Sequence, residues 1–248
     1  MVQGWADRTP DGFTMHVKAF GLMTRHPVKL EVLPEDLQSA MPVDERGRVD
    51  RPSRELRGEV FRRFLEALEP LRAVGKLGGI LFQLPPYVVY KDSSLDYLEW
   101  ARDQVGGDAF LFEPRHRSWY AEDVRPELLR FLEERRMTWV VVDAPRSDGA
   151  NVPETLVATT TQIAYVRFHG RNAATWNARR GSAAQRFDYL YREDELREWA
   201  PLLRELSNRT EEAYAFFNNN NQTNGVAQAA AGAQLLRTLL EDERVPVA

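Results

Sequence analysis

From residue 13 to residue 241 the chain alternates six times between a short run that reads as a β-strand and a longer stretch with helical spacing. The strand-like runs are 13–19, 78–84, 109–113, 138–143, 163–168 and 212–217. In the first, Phe13, Met15, Val17 and Ala19 fall on one side and Thr14, His16 and Lys18 on the other, the period-two pattern of a pleated strand. Leu56, Val60, Phe61, Phe64, Leu65, Leu68 and Leu71 then recur at the spacing of one buried helical stripe, which predicts a helix over 54–73. Further helices are expected after a Ser93 cap with Asp96 as its capping-box partner, over 123–136, and over 226–241. Another runs through Leu196, Trp199, Leu203 and Leu206, with a bend at Pro201.

Alternation of this kind, without internal repeat or linker, argues a parallel sheet with helices outside it and a single domain over 1–248. A doubly wound sheet normally carries a Gly-rich phosphate loop after its first strand, and Lys18-Ala19-Phe20-Gly21 is not one. The expected class is α/β, a TIM-type (β/α) barrel that is incomplete, with about six of its eight parallel strands. One long stretch, 21–53, contains Met23-Thr24-Arg25-His26-Pro27 and has Pro34 and Pro42 against regular structure. Loops of that length are often functional.

Charge and composition narrow the partners. With 37 acidic and 33 basic residues the net charge is −4, so no overall field draws the chain to nucleic acid or to an anionic membrane. There are no cysteines, which removes disulfides, thiolate nucleophiles and Cys-zinc sites and fits a reducing cytoplasm. Met1-Val2-Gln3-Gly4-Trp5 lacks the basic start and apolar run of a signal peptide, and no run of about 18 apolar residues could span a bilayer. A cytoplasmic protein is expected, with a small, anionic molecule as its ligand.

The strand ends carry the chemistry. Lys18, Gln83, Glu113 with Arg115 and His116, Asp143, Arg167 with His169, and Asn218 with Asn219 each stand at or just past a strand C-terminus. On parallel strands these open on the same rim, which favours an active-site mouth over separate loop caps. Tyr165, Arg167 and His169 share one face of their strand. A guanidinium turned inward has to be paired, with Glu113 or Asp143 as the expected partner of Arg115 or Arg167. One carboxylate would then be held ionised while the other moves a proton.

Other residues add to this. His16 lies one layer below Lys18 and reads as a hydrogen-bonded core residue. Glu113, His116, Asp143 and His169 have the right types for a divalent metal, without any ligand spacing such as H-E-x-x-H, so a metal is the lesser reading. Arg171, Arg179, Arg180 and Arg186 lie late in the chain, where barrels often bind phosphate. Trp119, Tyr120, Trp176, Tyr189 and Tyr191 could stack a sugar or a base.

Taken together, Thr9-Pro10-Asp11-Gly12-Phe13 leading to Val17-Lys18-Ala19, the run FEPRHRSWY from Phe112, Val142-Asp143-Ala144-Pro145, YVRFHGRN from Tyr165, YLYREDEL from Tyr189 and Phe217-Asn218-Asn219 with Gly225 beyond resemble the YecE-like family, domain of unknown function 72. The resemblance implies a TIM-type barrel and brings no established activity. Two departures stand out: family members place an asparagine in the final helix where this chain has Ala230, and they open with G-T-S-G-W-like and N-x-T-F-Y-like strands, neither of which precedes Trp5. The chain is thus expected to lack the first two strands and the helix between them. A start assigned too far downstream accounts for this more simply than a shortened barrel. The strands at 13–19 and 212–217 would each then expose an edge that invites self-association.

The leading functional expectation is a barrel enzyme of acid/base chemistry, a hydrolase or isomerase, on a small anionic substrate such as a phosphorylated sugar or nucleotide fragment. Glu113 or Asp143 would move the proton and His116 or His169 would assist. Lys18, Arg115, Arg167 and Arg171 would hold the anion, Asn172, Asn218 and Asn219 would orient it, and Trp119, Trp176 and Tyr191 would wall it. The alternatives are a sensor barrel that binds a ligand without turnover, and a metal-dependent hydrolase or glycosidase.

Overall fold

The structure, a computed structural model, describes residues 1–145, 155–173, 188–218 and 225–247. The expected class holds: an α/β chain of the incomplete TIM-barrel type, with six parallel strands among the described residues. Its residues gather into two compact units, Met1–Pro114 and Arg115–Ala248, each with three parallel strands. Among the described residues no helix is long and apolar enough to cross a membrane.

In the first unit the order is α1 (Val2–Arg8), β1 (Met15–Lys18), α2 (Glu35–Gln38), α3 (Arg54–Ala67), α4 (Glu69–Ala73), β2 (Leu77–Gln83), α5 (Asp92–Val105) and β3 (Phe110–Glu113). β2 is central, pairing Lys18 of β1 with Leu81 and Glu113 of β3 with Gln83. Phe82 turns outward from β2 onto Phe61 of α3 and Phe110 of β3, with ring centroids 6.4 and 4.7 Å apart. Each such contact adds about 0.5–1.5 kcal/mol to the burial of the rings. The helix expected over 54–73 is two helices, because Pro70 has no N–H and is accommodated only within the first turn of α4. Ser53 caps α3 by accepting from the Leu56 N–H at 3.2 Å. The Ser93 capping box does not form. Lys91 is extended (φ −172°) and its carbonyl takes the N–H groups of Ser94 and Leu95, so α5 starts at Asp92 and Ser93 lies inside the first turn.

The second unit follows with a 3-10 turn (Arg117–Tyr120), α6 (Arg125–Glu134), β4 (Met137–Asp143), β5 (Ile163–Phe168), α7 (Glu193–Arg197), α8 (Trp199–Ser207), β6 (Glu212–Phe217) and α9 (Gly225–Asp242). β4 is buried along its whole length and pairs with β5, which pairs in turn with β6. Here too one expected helix is two, broken at Glu198. Pro201 lacks the N–H that Arg197's carbonyl would have taken. Phe168 stacks on Phe217 at 4.7 Å and meets Trp199 edge-on at 5.1 Å, tying β5 to β6 and α8. β1 and β6 carry the least buried strand residues of their units.

Candidate functional site

Each unit holds one buried carboxylate at a strand end. In the first it is Glu113, the last residue of β3, whose side chain is fully buried. The Gln83 amide, one strand over, donates from Nε2 to Glu113 Oε1 at 2.7 Å, and Lys18 Nζ on β1 donates to Gln83 Oε1 at 2.9 Å. Lysine only donates and an ionised carboxylate only accepts, so the chemistry of its two neighbours fixes which way the amide points. The result is a chain of three side chains on three adjacent strands, running from exposed Lys18 to buried Glu113. Lys18 also lines a hollow of about 310 Å³ whose other walls include Phe20, Leu33, Leu37, Val60 and Phe64. A cation at the rim of an apolar hollow is the usual composition of a small-molecule site.

In the second unit the carboxylate is Asp143, at the end of β4 and 3% exposed. Arg171 donates to Oδ1 from Nη2 at 2.9 Å and reaches both oxygens from Nε at 3.1 Å. The Tyr191 hydroxyl donates to Oδ2 at 2.6 Å, and the Trp199 indole N–H to Oδ1 at 3.3 Å. These contacts take up the acceptor positions of both Asp143 oxygens. The guanidinium on Asp143 therefore belongs to Arg171, four residues beyond Arg167. Burial opposes the Arg171 cation, but its hydrogen bond and charge pairing with Asp143, helped by Glu198, raise its pKa. The Tyr191 phenol is raised by burial and then by Asp143, and Tyr189 is pushed up to about 12 by burial and its bond to Glu195, so both stay protonated donors.

Gly170 sets this turn. Its φ of +86° is in the left-handed region, and a Cβ there would stand 2.5 Å from Tyr189 Cβ. The turn swings Arg171 back over Asp143, and the Gly170 N–H donates to the Tyr191 hydroxyl at 2.8 Å. His169 is fully buried, and its Nδ1 lies 3.0 Å from Asn218 Nδ2. His116 Nδ1 accepts from the Ser118 backbone N–H at 3.1 Å.

The remaining expected residues are placed as follows. Arg115 is half-buried just past β3, and Arg167 is 8% exposed on β5 opposite Val142. Asn172 donates to the Asp188 carbonyl at 3.4 Å. Trp119 and Tyr120 are buried in the core, Tyr120 edge-on to Trp139 at 5.3 Å, which makes them anchors of the turn. Trp176, Arg179, Arg180, Arg186 and Asn219 lie outside the described residues. Burial lowers the His16 imidazole to about 4. No three His, Asp or Glu side chains among the described residues gather to hold a metal ion.

The family described as Protein of unknown function DUF72 matches residues 1–247 of the chain. The chain belongs to this family. The chain is 32% identical to the UPF0759 protein YunF of Bacillus subtilis (strain 168), aligned over 95% of this chain and 76% of that protein. A crystal structure of a DUF72 family protein from Thermotoga maritima is similar at 30% identity and a TM-score of 0.72, covering 95% of this chain and 76% of that one. A second, from Enterococcus faecalis, shares the fold at 24% identity and a TM-score of 0.78, over 97% of this chain and 78% of that one. DUF72 membership gives the chain a fold and no reaction, so chemistry has to be argued from the two carboxylate clusters. Sequence reasoning missed Trp199 and Glu195 as members of the Asp143 cluster, since both sit inside a helical pattern that reads as packing.

Proposed function

We propose that the protein is an enzyme of acid/base chemistry, a hydrolase or isomerase, acting on a small anionic substrate of sugar or nucleotide-like type. The observation that carries this reading is the Lys18–Gln83–Glu113 chain, because it couples a buried carboxylate to a cation at the rim of a hollow. Glu113 is the proton-transferring group. Lys18 holds the substrate anion, and Gln83 positions the carboxylate by fixing one of its oxygens. In the second unit Asp143 is the positioning group, holding Arg171 and Tyr191 in place beside His169.

The test is a panel of phosphorylated sugars and nucleotide fragments assayed with the wild-type chain and with Glu113→Gln, which keeps the shape and removes the proton-transfer group. Loss of turnover by about 10²-fold or more, with ligand affinity retained, is expected for a general acid or base. Lys18→Met should instead raise KM. Wild-type protein that binds a panel member tightly and never turns it over would make the barrel a sensor and end the enzymatic reading.

A further inference from the structure

The long segment 21–53 is the part of the sequence that the proposed reaction leaves unused, and it builds a second, charged cavity in the first unit. This cavity, about 610 Å³, is lined by Arg25, His26, Arg48, Arg51, Arg57 and Tyr87, with Asp44 and Asp50 among the remaining walls. It shares no lining residue with the hollow beside Lys18. Four arginines face two aspartates, so with His26 neutral the cavity carries an excess of two positive charges.

The internal partners do not absorb that excess. Asp44 is taken by Arg48, from Nε at 3.0 Å and Nη2 at 2.8 Å, and Asp50 lies 3.9 Å from Arg51, whose side chain is 94% exposed. Arg25 donates to Ser93 O at 3.3 Å, and Arg57 donates to Leu22 O and hydrogen-bonds the Tyr97 hydroxyl, so neither is paired with a carboxylate. Both guanidinium groups also lie over one ring, that of Tyr97, at 4.1 and 5.5 Å. The two like charges at this one ring repel each other, which lowers the Arg25 pKa after burial, and guanidinium donors of this kind suit an oxyanion.

The segment is built to hold them there. Arg25 and Arg51 have φ of +64° and +44°, a left-handed conformation that costs a non-glycine residue free energy. Around Arg25 the backbone is locked: His26 N–H and Thr24 N–H donate to Gly21 O, Tyr97 donates to Met23 O at 2.7 Å, and Tyr87 donates to Arg25 O at 2.5 Å. Arg48 is fixed by the antiparallel bridges Lys29–Arg48 and Val43–Val49. Strained backbone held by this many bonds, presenting forked cations to one cavity, is a preorganised anion site.

We propose that this cavity binds a phosphate-bearing small molecule, its dianionic phosphate bridging Arg25 and Arg57 and its remainder lying against the Tyr87 ring. A dianion matches the two excess charges, and guanidinium forks match phosphate oxygens. The site is independent of the proposed reaction at Glu113.

The test is calorimetric titration of the full chain at low salt with inorganic phosphate, AMP and glucose 6-phosphate, and with acetate as a monoanion. Saturable phosphate binding at one site is expected, with acetate at least about tenfold weaker; tighter AMP or glucose 6-phosphate would identify the group beyond the phosphate. Arg25→Met and Arg57→Met should each weaken phosphate by about tenfold or more, and Arg25→Lys should restore part of the loss. Arg51→Met, at a side chain too exposed to affect folding, should weaken it several-fold and keeps the test alive if the other variants do not fold. Lys18→Met should leave the phosphate site that depends on Arg25 and Arg51 unchanged, since Lys18 belongs to the separate site of the proposed reaction. Absence of saturable phosphate binding by the wild type, or loss on Lys18→Met with Arg25→Met and Arg51→Met unaffected, overturns the proposal.

Discussion

Tyr191→Phe isolates what the hydroxyl over Asp143 contributes. The ring would be kept, and with it the edge-on contacts to Phe168 at 5.5 Å and Phe217 at 5.6 Å. Two hydrogen bonds would go: the donation to Asp143 Oδ2 at 2.6 Å and the acceptance from the Gly170 N–H at 2.8 Å. A bond to a charged acceptor contributes about 1.5–3 kcal/mol, and a buried N–H left without an acceptor costs about 1–3 kcal/mol. Against this, the phenylalanine no longer has a hydroxyl to desolvate, which offsets about 1 kcal/mol or more. The expected net loss is about 2–4 kcal/mol, or roughly 5–15 °C in Tm for a chain of this size.

The assay is urea unfolding of the full chain at pH 7, with Tyr214→Phe as the comparison. The Tyr214 hydroxyl bonds Glu212 at 2.8 Å in an exposed setting, so its removal should cost less than about 0.5 kcal/mol. A double-mutant cycle with Asp143→Asn should show coupling of about 1 kcal/mol or more, because the two side chains are in contact. Tyr191→Phe behaving like Tyr214→Phe would refute the reasoning, since the Asp143 cluster would then be held by Arg171 and Trp199 without help from the hydroxyl.

Two further outcomes follow from the first unit. An added methyl at Gly78 would stand 2.3 Å from Thr14 Cγ2 and 2.8 Å from His16 Nε2, so Gly78→Ala should push β1 off β2, with a loss of at least about 2 kcal/mol in thermal or urea unfolding and partial recovery in a Thr14→Gly background. His16 titrates at about 4 in the fold against 6.5 ordinarily, so the unfolded chain takes up the proton first. Stability should therefore fall as pH drops from about 6.5 to about 4, by an amount on the order of 2–3 kcal/mol, and a His16→Gln variant should lose that part of the pH dependence.

The elements were legible where the signal is local. Short apolar runs mark the six strands of the described residues, two of them with period-two alternation, and Lys18, Gln83 and Glu113 each stand at a strand end. The helix breaks at Leu68 and Glu198 were harder, because apolar spacing continues through both and only Pro70 and Pro201 mark the change. Pairing was the least legible. Alternation says which face of β5 carries Arg167, but it is silent on a loop residue such as Arg171, whose reach to Asp143 depends on one left-handed glycine.

The segment 21–53 shows most clearly why a sequence hides part of a site. It has no period, four prolines and several charges, and reads as solvated loop, yet Met23 and Thr24 are fully buried and Leu22 nearly so. Its order comes from single bonds between residues far apart in the chain, such as Tyr97 to Met23 and Tyr87 to Arg25, and pairs of that kind leave no repeating pattern to detect. What such a segment does leave in the sequence is composition: arginines at 25, 46, 48 and 51, followed by Arg54 and Arg57 in α3, with Tyr87 and Tyr97 later in the chain. Composition names the charge and the backbone decides whether it is gathered, so the left-handed Arg25 and Arg51 turn a solvated charge run into a cavity with a net field.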